Sequence, residues 1–320
     1  MNTSTRGKPD FLLLFLTISL VGFGLIMVFS ASSANALYKY DTSWYFVKKQ
    51  FIFSFLGLLL MVVLMNVPFQ ILKRWSRPLL LASIVTLILV LVVGVQINGA
   101  KRWIGVGSFG IQPTEFVKIS VVIFLAALID KKGDKIRDFK TGLSPLLLLT
   151  GFVAFLILLQ PDFGSSLILL FVSGTIIIMG GANLWHLLKL VFVIAPICVY
   201  LAVSKSYRLE RITSFMNPWE DSSGTGYQLI QSLFALGHGG LTGAGIGKII
   251  QKLRYLPEAH TDFIFAIMGE ELGFVGVVFF ILIYAIFLAR GFIVAFQSSN
   301  FFWSIARDRY CQYDRDSIRI

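Results

Sequence analysis

Eight stretches of this chain are apolar over lengths that match the thickness of a lipid bilayer. A hydrocarbon core of about 30 Å is crossed by a helix of about 20 residues. The stretches cover approximately residues 11–31, 46–66, 77–97, 115–130, 143–160, 164–181, 187–204 and 263–290. With 56% hydrophobic and only 14% charged residues, the composition excludes a soluble globular domain. The sequence therefore predicts an all-α polytopic membrane protein with about eight complete transmembrane helices.

The basic residues are distributed as expected for membrane topology. The net charge is +11, but Lys and Arg lie mostly in short links between apolar stretches, so the charge does not indicate nucleic-acid binding. The links on the side of the N-terminus hold the larger share: Arg6, Lys8, Lys73, Arg74, Arg77, Lys131, Lys132, Lys135, Arg137, Lys140, Lys189 and Arg290. This bias predicts a cytoplasmic N-terminus, with links 98–114, 160–164 and 205–262 on the outer face.

The predicted order of segments follows from these two observations. Residues 1–10 form a cytoplasmic N-terminus, and 11–204 hold transmembrane helices one to seven with short links. Residues 205–262 form a large extracellular loop. Helix eight and the start of a ninth occupy 263–304, and 305–320 form a charged tail.

The stretch "YLPEAHTDFIFAIMGEELGF", residues 255–274, places carboxylates at the entrance of an apolar helix. Asp262 lies at the boundary, where we expect it to be accessible from water yet partly desolvated. It is a candidate general base, or alternatively a helix N-cap. Glu270 and Glu271 lie about 12 Å further along the helix, inside the apolar zone. They either form a buried hydrogen-bonded pair that holds helices in register or act in the chemistry directly.

Two residues before Asp262, His260 could orient that carboxylate or contact phosphate, or make only a surface hydrogen bond. Glu258 lies in the same approach to the helix and is assigned a supporting role. His186 begins a helix on the cytoplasmic side and His238 lies in the glycine-rich stretch, so neither gives zinc-ligand spacing with His260. No cofactor is required by the pattern, and a hard divalent cation such as Mg²⁺ or Mn²⁺, held by carboxylates and phosphate oxygens, remains open.

Three outer regions, taken together, carry both cations and carboxylates. They contain Arg102, Glu115 and Lys118, then Asp162, then Arg208, Glu210, Arg211, Glu220 and Asp221. Ionisable groups at helix ends usually face a protein interior or a water-filled cavity. The alternative for each cation is snorkelling at the interface, or a salt bridge with Glu115, Glu210 or Asp162.

The glycine-rich stretch "ALGHGGLTGAGIGK", residues 235–248, fits neither common nucleotide-binding pattern. Turns and close approach of backbones explain it better. Gly269 and Gly273, four residues apart, would likewise let a neighbouring backbone approach their helix.

The motifs "NGAKRWI", "QPTEFVK", "LLQPDFGSSL", "NPWED", "GYQLIQSLFALGHGGLTGAGIGK" and "YLPEAHTDFIFAIMGEELGF" resemble, in order, those of the SEDS family (shape, elongation, division and sporulation), and most its FtsW/SpoVE branch. The resemblance implies a ten-helix bundle in the bacterial cytoplasmic membrane. It also implies a glycosyltransferase that polymerises lipid II at the outer face. The implied partners are a class B penicillin-binding protein, other division or sporulation membrane proteins, and membrane lipids.

Within that resemblance, Asp262 matches the family's proposed catalytic aspartate, while Arg254 stands where some members carry a second acid. Asp262 would take the proton of a sugar hydroxyl as it attacks an anomeric carbon. The residues assigned to substrate binding, with cations facing the pyrophosphate, are Arg102, Lys118, Glu115, Asp162, Arg208, Arg211 and His260. A lipid II flippase is the alternative, but it needs a polar path to both faces. A scaffold would leave the buried ionisable groups unexplained.

The composition changes abruptly near residue 305. The final "ARDRYCQYDRDSIRI" is too highly charged to continue a ninth helix across a bilayer. From the resemblance we expect a truncation or frameshift there, and an inactive product.

Overall fold

The computed structural model describes residues 9–97, 100–106, 109–204, 206–222, 224, 226–245, 247 and 261–297. Within them, ten α-helices follow in chain order: α1 (Phe11–Tyr40), α2 (Tyr45–Met65), α3 (Phe69–Val93), α4 (Pro113–Lys132), α5 (Ser144–Leu158), α6 (Phe163–Met179), α7 (Leu184–Val203), α8 (Ser206–Met216), α9 (Tyr227–Gly239) and α10 (Ile264–Gln297). Each of the eight predicted apolar segments overlaps one of these helices. The charged tail at 305–320 lies outside the described residues.

Six helices of the described chain are long and apolar enough to cross a membrane. Five of them are α1, α2, α3, α7 and α10. The sixth is the stretch Phe139–Leu158, which includes α5 at its end. Helix α6 is apolar but has 17 residues, and α4 carries charged residues near both ends. The prediction of an all-α, multi-pass membrane protein is confirmed.

Several helix ends differ from the predicted bounds, because apolar composition marks the membrane-embedded part and not the caps. Helix α1 continues to Tyr40 instead of ending near residue 31. The Asp10 side chain caps its start by accepting a hydrogen bond from the Leu13 N–H at 2.8 Å. At its other end Asp41 has a φ of 54°, which stops the helix.

Two of the predicted links contain regular structure. A three-stranded antiparallel sheet, in the order β1 (Val95–Ile97), β2 (Ala100–Val106) and β3 (Phe109–Ile111), extends over much of the link predicted at 98–114. The segment 205–262, predicted as a loop, contains α8 and α9. These elements are shorter or more polar than a membrane span, so hydropathy alone does not reveal them.

The chain divides into two compact units. The middle unit is Leu64–Lys205, and the terminal unit combines Met1–Val63 with Ser206–Ile320. In the middle unit α3 packs against α4, and α6 packs against both α4 and α5. Small polar side chains join these helices: Ser83 Oγ donates to Ser120 Oγ at 2.7 Å, and Ser166 Oγ donates to the Ala154 carbonyl at 3.2 Å. Such contacts suit a membrane interior, where apolar packing between helices gives little advantage over lipid.

In the terminal unit α10 packs against α1 and α9. Met27 and Ala31 of α1 meet Ile267 and Met268 of α10 in a buried apolar cluster. Arg290, late in α10, pairs with Asp10 at the start of α1, with a guanidinium nitrogen 2.7 Å from the carboxylate. The two helices are therefore antiparallel. Asp262, just ahead of α10, lies at the end of the pair opposite Asp10.

Candidate active site

Helix α10 is broken at Gly273. This residue has a φ of 67° and a ψ of −173°, a conformation that only glycine adopts without strain. A break of this kind leaves carbonyl groups without helical partners on one side and N–H groups without partners on the other. In a membrane such groups must be satisfied by protein or by enclosed water.

The glycine-rich stretch supplies backbone partners to the break. The N–H groups of Ala244 and Gly245 donate to the carbonyls of Glu270 and Glu271 at 2.9 and 3.1 Å. In the other direction, Phe274 N–H donates to the Gly240 carbonyl at 2.9 Å, and Val275 N–H to that of Leu241 at 3.1 Å. Four hydrogen bonds therefore join residues 240–245 to both sides of the break.

Glycines make this contact sterically possible. A Cβ at Gly239 would overlap the carbonyl oxygen of Gly269, and one at Gly243 would overlap that of Glu271. A Cβ at Gly273 would overlap the backbone nitrogen of Gly243. Close backbone approach, expected for the glycine-rich stretch and for Gly269 and Gly273, is what the described structure contains.

Glu270 and Glu271 are buried immediately before the break, with 2% and 1% of their surfaces exposed. The Ser30 hydroxyl donates to Glu271 Oε1, so this carboxylate joins α1 to α10. The same oxygen accepts the Gly247 N–H at 3.3 Å. The predicted alternative, in which buried acids hold helices together, therefore describes Glu271.

Asp262 lies in the turn before α10 and is exposed. This exposure agrees with access from water, and partial desolvation at the membrane boundary stays a prediction. Among the described residues, no backbone N–H at the start of α10 donates a hydrogen bond to its carboxylate, so the N-cap contact is not made there. Thr261 beside it is also exposed.

In the middle unit, Arg102 holds the link between α5 and α6. From β2, its Nε donates to the Gln160 carbonyl at 3.3 Å, and a terminal guanidinium nitrogen donates to the Pro161 carbonyl. Two of the five guanidinium N–H donors are thus directed at the main chain. Sequence alone allowed snorkelling, a salt bridge or a phosphate contact, and did not anticipate these carbonyl partners.

Asp162 is 5% exposed and caps α6 by accepting the Ser165 N–H at 3.1 Å. Gln112, at the start of α4, places its Nε2 3.4 Å from the other Asp162 oxygen. Lys118 pairs with Glu115 at 2.9 Å, as one of the predicted alternatives proposed. Gln112 therefore joins the start of α4 to the α5–α6 link that Arg102 also contacts, while the Lys118–Glu115 pair lies within α4.

The remaining predicted residues are only partly described. Arg208 and Arg211 belong to α8, but their side chains lie outside the described structure, as do His260 and Glu258 entirely. Asp262 and Arg102 belong to different units. No group of three or more His, Cys, Asp or Glu side chains that could hold a metal ion occurs among the described residues.

Sequence reasoning missed Ser30 and Gln112. Ser30 lies in "FSASSANA" within an otherwise apolar helix, and polar residues in such a setting are a signal for interhelical hydrogen bonds. Gln112 precedes the proline that opens α4, a position with no distinctive signal.

Comparison with known proteins agrees with this architecture. A family model described as cell cycle protein, covering FtsW, RodA and SpoVE, matches residues 11–306. Stage V sporulation protein E of Bacillus subtilis is 42% identical over 305 residues, which cover 94% of this chain and 83% of that protein. A probable peptidoglycan glycosyltransferase FtsW of Trichlorobacter lovleyi is 41% identical over 295 residues, covering 92% of this chain and 77% of that protein.

Solved structures give the same result. A chain from a structure of a peptidoglycan synthase complex that coordinates polymerization and crosslinking has a TM-score of 0.67 and 34% identity, over 88% of this chain and 76% of that chain. The crystal structure of Thermus thermophilus rod shape determining protein RodA has a TM-score of 0.60 and 29% identity. That match covers 91% of this chain and 75% of the RodA chain.

Proposed function

The chain belongs to the FtsW, RodA and SpoVE family of cell cycle proteins, and from that premise we propose how it works as a peptidoglycan glycosyltransferase. The reaction polymerises lipid II into glycan strands during cell division or sporulation. The observation that carries the catalytic assignment is Asp262, an exposed carboxylate ahead of a helix whose next turns are packed and buried. A base needs this combination of access to substrate and a rigid support.

Asp262 acts as the general base. The 4-hydroxyl of one sugar attacks the anomeric carbon of another, and Asp262 accepts the hydroxyl proton. A carbon–oxygen bond forms between the sugars while the bond from the anomeric carbon to the pyrophosphate oxygen breaks. Undecaprenyl pyrophosphate departs with that bond's electron pair, and the proton passes later to water. A positioned base contributes about 10²–10⁴-fold to such a step.

Cations stabilise the pyrophosphate as it leaves. Arg102 suits this role because a guanidinium bonds phosphate oxygens with a planar pair of donors. Its contacts with the Gln160 and Pro161 carbonyls fix the side chain while leaving other N–H donors for substrate. The proposed binding set is completed by Lys118, Glu115, Asp162, Arg208, Arg211 and His260, with Glu258 in support.

We place the N-terminus in the cytoplasm and Asp262 at the outer face of the bacterial cytoplasmic membrane. The distribution of Lys and Arg supports this orientation. The antiparallel pairing of α1 and α10 supports opposite sides of the membrane for the N-terminus and Asp262. Asp10 pairs with Arg290 late in α10, whereas Asp262 precedes the start of α10, so the length of α10 separates them. The partner in this scheme is a class B penicillin-binding protein, with other division or sporulation membrane proteins associated.

A lipid II flippase is the second candidate, because broken helices are typical of transporters. In this chain the break in α10 is filled by backbone hydrogen bonds from residues 240–245. A transport path through that point would have to disrupt them. The filled break therefore favours polymerisation over transport.

The test uses the purified protein with its penicillin-binding protein, labelled lipid II and a divalent cation. Penicillin is added because it blocks crosslinking and leaves polymerisation intact. Although the composition change near residue 305 predicts an inactive product, the family match extends to residue 306, and the proposal predicts glycan polymer. Asp262→Asn keeps the size of the side chain but removes the basic oxygen, so the rate should fall by about a hundredfold or more. A near-normal rate for Asp262→Asn would remove the catalytic assignment, and flipping without polymer would establish the transporter.

A further inference from the structure

We infer that Gln160 is a positioning residue for Arg102, acting through a hydrogen bond to α3. This inference rests on the proposed role of Arg102 with the leaving pyrophosphate. Gln160 lies in the α5–α6 link, residues 159–162, and is 0% exposed, so its side chain is not placed to touch substrate. It fixes instead the carbonyl groups to which the Arg102 guanidinium is bound.

The Gln160 side chain joins the α5–α6 link to α3. Its Nε2 donates a hydrogen bond to the Leu87 carbonyl at 3.1 Å. The other polar atom of the amide, Oε1, is buried and has no hydrogen-bond partner among the described residues. A buried amide that is only partly satisfied lowers the stability of the fold. An apolar side chain of the same length would fill this space at no such cost, so the contribution specific to glutamine is the bond to α3.

Both described acceptors of Arg102 belong to the same link. Its Nε donates to the Gln160 carbonyl at 3.3 Å, and a terminal guanidinium nitrogen donates to the neighbouring Pro161 carbonyl. Gln160 therefore contacts α3 with its side chain and Arg102 with its main chain. Because the two contacts lie within one residue, a shift of Gln160 relative to α3 also shifts an acceptor of Arg102.

The main chain of Arg102 is held on α3 as well. Helix α3 leads directly into β1, and β2 pairs with β1 and packs against α3. In the pairing of the two strands, Trp103 faces Val95 and Lys101 faces Gln96. Arg102 is thus the extra residue between two consecutive pairs, as in a β-bulge, a feature that redirects a side chain. Helix α3 therefore supports both the strand that carries Arg102 and, through Gln160, the carbonyls that bind it.

The other described hydrogen bonds of the link end on α5, α6 and the start of α4. The Gln160 N–H donates to the Ile157 carbonyl at 3.0 Å, and Asp162 caps α6 by accepting the Ser165 N–H at 3.1 Å. Gln112 Nε2 lies 3.4 Å from the second Asp162 oxygen. These bonds keep the connection between α5 and α6 intact but do not fix its distance from α3. Without the Nε2 bond, the link and the bound guanidinium can move together away from α3.

Gln160→Met separates the bond to α3 from the packing of the side chain. Methionine is unbranched and of similar length, but it has no N–H donor. We expect kcat/KM for lipid II to fall by about tenfold, because a displaced guanidinium stabilises the departing pyrophosphate less well. The unfolding temperature should stay the same or rise, because the unsatisfied buried oxygen is removed with the donor. A purely structural role would lower stability and activity together.

A double-mutant cycle tests whether Gln160 acts through Arg102. In an Arg102→Ala background, Gln160→Met should change kcat/KM by less than about twofold, since the group that it positions is gone. Ser166→Ala is the matched control, because it removes another buried hydrogen bond of the same unit, the one to the Ala154 carbonyl. It should lower the unfolding temperature slightly and leave kcat/KM unchanged.

The guanidinium itself gives a readout that does not depend on activity. NMR spectra of protein made with isotope-labelled arginine contain the Arg102 Nε–H signal, which is assigned by its loss in Arg102→Lys. We expect this proton to exchange with water about fivefold faster or more in Gln160→Met than in the original protein, because its bond to the link is less well held. In Ser166→Ala it should exchange at the original rate.

An unchanged exchange rate of the Arg102 Nε–H in Gln160→Met would overturn the inference. Faster exchange with unchanged kcat/KM would also overturn it, as would equal losses of kcat/KM from Gln160→Met with and without Arg102. If Arg102→Ala polymerised lipid II at the original rate, the proposed role of Arg102 would fail, while the exchange comparison would still decide whether Gln160 holds the guanidinium in place.

Discussion

Gly243→Ala is the most direct perturbation of the junction between the glycine-rich stretch and the break in α10. Gly243 has a φ of +80°, and a Cβ there would overlap the Glu271 carbonyl oxygen. The left-handed conformation alone costs alanine about 1–2 kcal/mol. The overlap is with backbone that cannot rotate away, so the loop must move off the helix.

The movement would cost hydrogen bonds as well. Four backbone bonds join residues 240–245 to α10, and each contributes about 0.5–1.5 kcal/mol net in a typical protein. Losing two of them adds about 1–3 kcal/mol. The total destabilisation is therefore about 2–5 kcal/mol, which should lower the unfolding temperature of the detergent-solubilised protein by about 5 °C or more.

Two neighbouring glycines serve as controls. Gly240 also has a positive φ, +52°, but a Cβ there meets nothing within 4 Å, so Gly240→Ala should show only the conformational cost. Gly237 lies within α9 and is equally open. Gly237→Ala should be neutral or stabilising by up to about 1 kcal/mol. If Gly243→Ala unfolded at the same temperature as Gly240→Ala, the close contact with α10 would not be a source of stability.

Three other predictions concern topology, acid stability and the leaving group. A single cysteine at Ser222, with Cys198 and Cys311 changed to serine, should react with a membrane-impermeant thiol reagent applied outside protoplasts; labelling only after lysis would reverse the orientation. The Leu13 N–H and then the Arg290 guanidinium lower the pKa of Asp10 below its usual 3.8. Because the folded pKa is the lower one, the stabilisation is present above pH of about 4 and is lost as the pH falls further. The gap in unfolding temperature between the original protein and Asp10→Asn should thus be constant from pH 5 to 7 and shrink below pH of about 4; a constant gap at all pH values would contradict this. Finally, Arg102→Lys should reduce kcat/KM by about tenfold although the charge is kept, since an ammonium lacks the planar fork that reaches two carbonyls; unchanged kinetics would show that the fork is not needed.

The helices were predictable because a membrane span is a local property. Twenty consecutive apolar residues, as in α1 or α2, indicate a span whatever the rest of the chain does. The contacts that organise the site are not local. Ser30 and Glu271 are 241 positions apart in the sequence, and nothing near either residue specifies the other.

The break in α10 was also hidden. Gly273 lies in an apolar run, so hydropathy predicts one continuous helix there, and glycine is common in membrane helices. Only its contact with Gly243 and its positive φ reveal the interruption. Arg102 shows a related difficulty, because sequence identifies a cation at an outer link but not the two carbonyls that it contacts.

The filled break in α10 has a consequence for biosynthesis. Residues 240–245 precede α10 in the chain, so the ribosome delivers the backbone partners before the helix that needs them. Without them, α10 would enter the bilayer with unpaired carbonyls and N–H groups at Gly273 and two acidic side chains beside it. We therefore expect residues 264–297 alone to be inserted inefficiently by the translocon, and 227–297 to be inserted well, in a glycosylation-mapping assay. Equal insertion of both would refute this. We therefore expect α9 and residues 240–245 to be synthesised first and to supply the hydrogen-bond partners of α10 as it inserts, so that α10 enters as the second helix of a helical hairpin.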